Sequence, residues 1–345
     1  MRPPQTARRL TFSTAERVSA GRVAAEALRR GDRRALARAI TLAESTRPDH
    51  RAAAEELLAA VLPHAGGSIR IGISGPPGAG KSTFIERFGL DGTAHGRHVA
   101  VLAVDPASKR GGGAILADKT RMALLAGSPH AFIRPSSAGA SRGGAARHTR
   151  EAILLCEAAG FDVVIVESVG VGQSETAVAE MTDMFVLILP PTAGDELQGI
   201  KRGIVEFADL VLVNKADADL ADLAERTAAD YASALRLIRP PVREWAVPVR
   251  AVSALEGRGI AEAWEDVARF RAVREATGGW PQRRREQARA ALWAEIEESL
   301  VEQFRAASPV ARHLAAVEAE VVAGTRTPAD GARALLAAFR GERQG

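Results

Sequence analysis

The stretch "IGISGPPGAGKSTF", residues 71–84, decides the fold. Its apolar lead-in reads as a buried strand, and Gly75, Gly80, Lys81 and Ser82 then fit G-x-x-x-x-G-K-[ST] ahead of a helix. That context is the one in which the motif has a mechanism. Glycines let successive backbone N–H groups turn inward around phosphate oxygens, and the following helix adds the positive end of its dipole. Ser74, Gly75, Pro76, Pro77, Gly78, Ala79, Gly80, Lys81, Ser82 and Thr83 are therefore expected to cradle a polyphosphate. Within that cradle Lys81 supplies a point charge and the Ser82 hydroxyl a magnesium ligand.

Outward from the loop, residues 68–276 alternate short apolar runs with helical segments. The runs are "IRIGIS", "HVAVLAVD", "AFIRPS", "FDVVIVES", "MFVLILPP", "LVLVNKAD" and "VPVRAVSA". Most are apolar on both faces, as strands buried in a parallel sheet must be, and the helices between them supply the crossovers. The fold class is α/β: a P-loop NTPase with a doubly wound, mostly parallel sheet, whose ligand belongs at the carboxyl ends of the strands. Residues 1–67 read as an N-terminal helical region, with Ser13 and Glu16 spaced as a capping box, Asp32 as a second N-cap and a further helix from Pro48. After the break "TGGWPQRRREQ", residues 277–345 form a C-terminal helical arm. Leu292, Ile296, Leu300 and Phe304 give the arm one apolar face, suited to packing on its own domain or on a second copy. The run Arg283, Arg284, Arg285 reads as a solvated helix face rather than a nucleic-acid contact, because no aromatic residues interleave with it.

Composition narrows the class. The single cysteine, Cys156, excludes a disulfide framework and any multi-cysteine metal site built by one chain. No apolar run approaches the roughly 18 residues of a membrane span, and the basic N-terminus lacks the apolar stretch of a secretory signal. The expected compartment is the cytoplasm, or the mitochondrial matrix for a eukaryotic chain. Of 46 Lys and Arg residues only Lys81, Lys109, Lys119, Lys201 and Lys215 are lysines, all inside the α/β region. A chain that otherwise uses arginine keeps a compact ammonium where a planar fork does not fit, so all five are candidate functional positions.

Magnesium beside phosphate calls for hard oxygen ligands. Glu167 ends a buried run where a Walker-B acid belongs, Asp105 ends "HVAVLAVD", and Asp118 lies in "LADKTRM". With Ser82 these make the expected metal set, and Lys81, Asp105 and Glu167 are the candidate catalytic groups. Asn214, Lys215 and Asp217 form N-K-x-D at the end of a late run. A carboxylate there accepts both the N1–H and the 2-amino group of guanine. Adenine offers neither donor and would leave the carboxylate unpaired, so the site rejects ATP. Ser253, Ala254 and Leu255 suit a backbone contact to guanine O6. The nucleotide is GTP or GDP with Mg2+. Gln173 lies in the segment after Glu167, which is expected to feel the γ-phosphate, and Asp195, Glu196, Gln198 and Lys201 lie in a further loop after the fifth run, where a solvated loop accounts for the acids but less well for the rare lysine.

"VLAVDPASKRGGGAILADKTRM", "REAILLCEAAGFDVVIVESVGVGQSETAVAEM" and "AGDELQGIKRGIVEFADLVLVNKAD" resemble the MeaB/ArgK-type GTPases, the G-protein chaperones of adenosylcobalamin-dependent methylmalonyl-CoA mutase. The resemblance covers nearly the whole chain. It implies a slow, partner-stimulated GTPase that gates cofactor loading and protects or reactivates methylmalonyl-CoA mutase or a related acyl-CoA mutase. It also implies a homodimer formed through the arm, with the 195–201 loop as a third switch; the residues themselves give no expectation of a nucleic-acid or membrane partner. This chain departs from the usual pattern at Ala107, Ala117, Ser168, Pro191 and Thr192, none of which removes an expected ligand. The alternative on the same fold is a nickel-insertion metallochaperone. Its only local support is the pair His95 and His98, which reads as an ordinary loop. A kinase acting on an amino-acid transport protein lacks an identifiable acceptor site. A purely structural dimer conflicts with an intact phosphate site.

Overall fold

The computed structural model describes residues 23–104, 122–135, 142–168, 174–191, 202–236 and 242–341. Seven strands, β1 (Ile69–Ser74), β2 (Val99–Val104), β3 (Ala131–Arg134), β4 (Val163–Ser168), β5 (Met184–Leu189), β6 (Leu210–Val213) and β7 (Val249–Ala251), form one sheet in the order β3-β2-β4-β1-β5-β6-β7. Every neighbouring pair is parallel, so the mostly parallel sheet expected from the apolar runs is wholly parallel. The chain visits β2 and β3 on one side of β1, then β4 beside it, then β5 to β7 on the other. The carboxyl end of β1 thus lies at the switch point where such sheets open a ligand crevice.

The described helices are α1 (Arg33–Ala43), α2 (Pro48–Val61), α3 (Lys81–Ala94), α4 (Ala123–Gly127), α5 (Arg142–Ala158), α6 (Ser174–Met181), α7 (Arg202–Val205), α8 (Ala221–Leu235), α9 (Ile260–Ala276), α10 (Gly279–Ala306), α11 (Ser308–Val322) and α12 (Pro328–Arg340). Alternation along the strands sends side chains to two cores. Ile71, Ile73, Val101, Ile165 and Ile188 meet Phe84, Phe88, Trp264 and Phe270 of α3 and α9 on one face. Leu102, Val164, Val166 and Phe185 meet Leu36, Ile40, Leu57 and Ile153 of α1, α2 and α5 on the other. The Phe88 and Trp264 rings stack with centroids 3.9 Å apart, fixing α9 against the helix that carries the phosphate loop.

The N-terminal helices start where their caps require. Asp32 accepts the backbone N–H groups of Arg34 and Ala35 at 2.8 and 3.0 Å, and α2 begins on Pro48, whose missing N–H costs nothing in a first turn. Ser13 and Glu16 lie outside the described residues. Ion pairs Arg51–Glu151 and Arg134–Glu44 tie these helices to α5 and β3. Cys156 is fully buried on α5, and burial pushes its thiol pKa up.

Two compact units emerge, Met1–Arg285 and Glu286–Gly345. Their division falls inside α10, which begins at Gly279 and accommodates Pro281 in its first turn, so the expected break narrows to Thr277 and Gly278. The second unit has its own small core of Val310, Val317 and Leu335 with Phe304 packed against it. Leu292, Trp293, Leu300 and Val301 are exposed, so the apolar face expected on the arm is uncovered in the single chain except at Phe304.

Of the arginine run only Arg285 is exposed as expected of a solvated face, and Arg283 and Arg284 turn inward. Arg284 donates to both oxygens of Asp183 at 2.5 and 2.6 Å, to Glu157 at 3.3 Å and to the Ser68 carbonyl at 3.0 Å. Arg70 adds a bidentate pair to Glu157 at 2.8 Å, and Arg283 donates to the Ala179 carbonyl. Helix periodicity turns these residues inward, where two buried carboxylates require them.

Near this network Asp209, at the start of β6, is fully buried. Its Oδ2 accepts the Phe185 N–H at 2.9 Å while Oδ1 has no hydrogen-bond partner among the described residues. Burial pushes its pKa up to about 7 from an ordinary 3.8. The native state therefore holds a proton that the unfolded chain has lost, and stability falls as pH rises from about 4 through about 7. Asp209→Asn keeps the acceptor for Phe185 and removes the titration. In urea unfolding at pH 5.5 and 8, the wild type should lose roughly 2 kcal/mol relative to this variant between the two pH values.

Candidate functional site

The phosphate loop turns through three glycines with positive φ, Gly75 at 152°, Gly78 at 82° and Gly80 at 84°. At Gly75 the reason is also spatial: a Cβ would lie 1.9 Å from the backbone oxygen of Ile188 on β5. A Cβ on Gly80 would meet Asn214 Nδ2 at 2.5 Å. Gly80 caps the N-terminus of α3, Ala79 is buried, and Pro77, Gly78 and Thr83 are exposed at the mouth. Lys81 Nζ donates to the carbonyls of Gly75 at 2.8 Å and Pro76 at 3.2 Å, so the ammonium sits inside the turn. Burial lowers its pKa against the opposing pull of Glu167 and Glu175. Glu175, at the start of α6, is a charge in this field that motif reading passed over.

Glu167 pairs in register with Ile73 on one side and Ala103 on the other, at the carboxyl ends of three adjacent strands. The Ser82 hydroxyl donates to Glu167 Oε1 at 3.2 Å, bringing together the two expected metal residues among the described ones. Next to them the Ser168 hydroxyl donates to that of Ser74 at 2.7 Å, both fully buried, clamping the end of β4 to the end of β1. The other expected residues of this region, Asp105, Asp118, Gln173, Asp195, Glu196, Gln198 and Lys201, lie outside the described residues, as do Lys109 and Lys119.

The residues expected to read the base converge beside the phosphate loop. Asn214 is buried, its Nδ2 donates to the Ala79 carbonyl at 2.9 Å and the Gly80 carbonyl at 3.4 Å, and its Oδ1 accepts the Ala254 N–H at 3.1 Å. One carboxamide thereby joins loops that follow β1, β6 and β7. Lys215 is exposed with φ 65°, a left-handed turn that presents the segment to solvent. Ser253 donates to Asp217 Oδ1 at 3.3 Å and accepts the Glu256 N–H at 3.1 Å, which orients the carboxylate. Leu255 is exposed at the rim. The pair His95 and His98 does not form a unit: His95 turns to Asp91, and His98 to Asp162 and His130.

A wholly parallel sheet with this loop after its central strand and a second reader loop after β6 defines a P-loop GTPase. The profile described as methylmalonyl-CoA mutase-associated GTPase MeaB matches residues 36–309, and the chain belongs to that family. A putative GTPase of Caulobacter vibrioides is 53% identical over 309 residues, covering 90% of this chain and 94% of the relative. The mouse protein named methylmalonic aciduria type A homolog, mitochondrial, is 46% identical over 321 residues, covering 90% of this chain and 77% of its own. A crystal structure titled LAO/AO transport system kinase superposes with a TM-score of 0.73 at 38% identity, covering 96% of this chain and 99% of that one.

The Ile188 contact makes Gly75 intolerant of any side chain. Gly75→Ala should weaken binding of a fluorescent GDP analogue by at least about 100-fold, because the loop must move to admit the methyl group. Ala79→Gly, which adds no atoms, should leave affinity within a few fold.

Proposed function

We propose that this chain binds GTP with Mg2+, hydrolyses it slowly alone, and uses the cycle to serve an adenosylcobalamin-dependent acyl-CoA mutase. In this reading it gates cofactor loading and protects or reactivates methylmalonyl-CoA mutase or a close relative. The observation that carries the reading is the single carboxamide of Asn214 that binds the phosphate loop to the guanine-reading turn.

Lys81 and the inward backbone of Gly75–Gly80 would hold the phosphates. Ser82 and Glu167, already in contact, fit a magnesium ion, since a hydroxyl and a carboxylate are the hard oxygen donors it prefers. The ion would neutralise charge between the β- and γ-phosphates. Asp105 and Asp118 would complete its surroundings. Asp217, held by Ser253, would accept the two guanine donors, and a backbone N–H of the 253–255 turn would meet O6. In sequence Gln173 stands three residues beyond Gly170 rather than beside it, so no motif supplies an evident residue to orient water and a slow intrinsic rate is expected. A partner acting through the 195–201 loop could raise the rate by roughly 10³–10⁵.

The exposed apolar strip of Leu292, Trp293, Leu300 and Val301 supports a homodimer formed through the helical arm. The domain plan is an N-terminal helical region to 67, the GTPase body to 276 and the arm beyond. Among the described residues no helix is long and apolar enough to cross a membrane, and the setting proposed is the bacterial cytoplasm or its mitochondrial equivalent.

Two experiments test this. Asp217→Asn offers an amide donor in place of one carboxylate oxygen. GDP affinity should fall by at least about 100-fold, while xanthosine diphosphate, which carries a carbonyl at position 2, should gain. GTP turnover should rise on adding an adenosylcobalamin-dependent acyl-CoA mutase, with ATP inert. Turnover that no such mutase alters would remove the chaperone role and leave a GTPase with another partner.

A further inference from the structure

At the opposite end of the sheet from the phosphate loop, three residues precede three adjacent strands: His130 before β3, His98 before β2 and Asp162 before β4. His98 Nε2 and His130 Nδ1 are 3.2 Å apart, with the rings crossed at 82°. Asp162 Oδ2 accepts the His98 backbone N–H at 2.8 Å and lies 3.4 Å from His98 Nδ1. Both histidines and Asp162 are exposed.

We propose that His98 Nε2 and His130 Nδ1 form a binding site for a divalent transition-metal ion such as Zn2+, with Asp162 orienting the His98 ring. Three arguments lead there. Two imidazole nitrogens each about 2.1 Å from one ion and separated by this distance subtend roughly 100° at the metal, between tetrahedral and octahedral values. A carboxylate on the far nitrogen of a ligating histidine fixes its tautomer and raises its basicity, the usual partner of such a ligand. The backbone is already fixed: Val99 N donates to the His130 carbonyl at 2.9 Å, and Asp162 N and Val163 N donate to the His98 carbonyl at 3.0 and 3.1 Å. Only side-chain torsions remain to be set.

Among the described residues no three His, Cys, Asp or Glu side chains converge on one metal position, so water supplies the remaining ligands and the ion stays exchangeable. The same nitrogens can instead share a proton. Binding then replaces that hydrogen bond, with the His130 proton passing from Nδ1 to Nε2. Imidazole donors favour Zn2+, Ni2+ and Cu2+ over the Mg2+ of the nucleotide site, which prefers oxygen.

The test uses the full-length, tag-free protein loaded with GDP and Mg2+, titrated with Zn2+ against a chromophoric chelator. One Zn2+ per chain is expected. Its affinity should drop at least about 10-fold in His98→Ala and in His130→Ala, and about 10-fold in Asp162→Asn, which leaves both nitrogens in place. His95→Ala and His313→Ala should bind as the wild type does. GTP turnover and thermal midpoint in Mg2+ buffer freed of transition metals should be unchanged in all five variants, since the pair lies outside the nucleotide site. Binding that survives in the His98→Ala/His130→Ala double variant, or that falls equally in His95→Ala, overturns the proposal and leaves a simple hydrogen-bonded histidine pair.

Discussion

The site depends on the carboxamide of Asn214. A P-loop after β1 and a guanine reader after β6 are separate turns, and nothing in a parallel sheet fixes the distance between their crests. Asn214 supplies that distance by donating to the loop backbone at Ala79 and Gly80 and accepting from Ala254. Its own backbone is held by the Leu189 carbonyl at 2.8 Å. A buried amide with its donor and acceptor both satisfied resists displacement, because loosening either contact strands a polar group. The two turns therefore present one rigid surface.

The other end of the sheet is organised by charge. Asp183 and Glu157 are buried carboxylates with shared arginines, and Arg284 serves both. Arg70 belongs to β1 itself, so the strand that delivers the phosphate loop is fixed at its start by ions and at its end by the Ser74–Ser168 hydroxyl contact. Breaking such a pair leaves an uncompensated buried charge, which costs more than the pair contributes.

What could be read from the sequence was whatever the backbone demands locally. The glycine spacing around Lys81, the buried runs and N-K-x-D each encode a constraint within a few residues, and the parallel sheet followed from them. Contacts between distant segments could not be read. Nothing near Gly75 announces that Ile188 lies against it, and nothing in N-K-x-D says that Asn214 holds the phosphate loop. The arginine run misled because three like residues in a row do not reveal which of them faces inward. Helical phase decides that, and the acids that require Arg284 stand at positions 157 and 183. In sequence His98 stands beside His95, whereas strand order places it beside His130. Ser82 and Glu167 meet because a strand end and a helix start at the switch point leave little freedom, while Asp105 and Asp118 lie outside the described residues.

Cys156 is the sole thiol of the chain, and it is sealed in the interior of α5 with its pKa driven upward by burial. Thiolate is the reactive form, so alkylating dyes and mild oxidants meet almost no nucleophile on the folded protein. The molecule is in effect a ready-made blank for single-site chemistry. A cysteine introduced on an exposed position, such as Thr83 at the mouth of the phosphate loop or Leu300 on the arm, becomes the one addressable point, and a reporter fixed there follows nucleotide exchange or self-association without first removing the native residue.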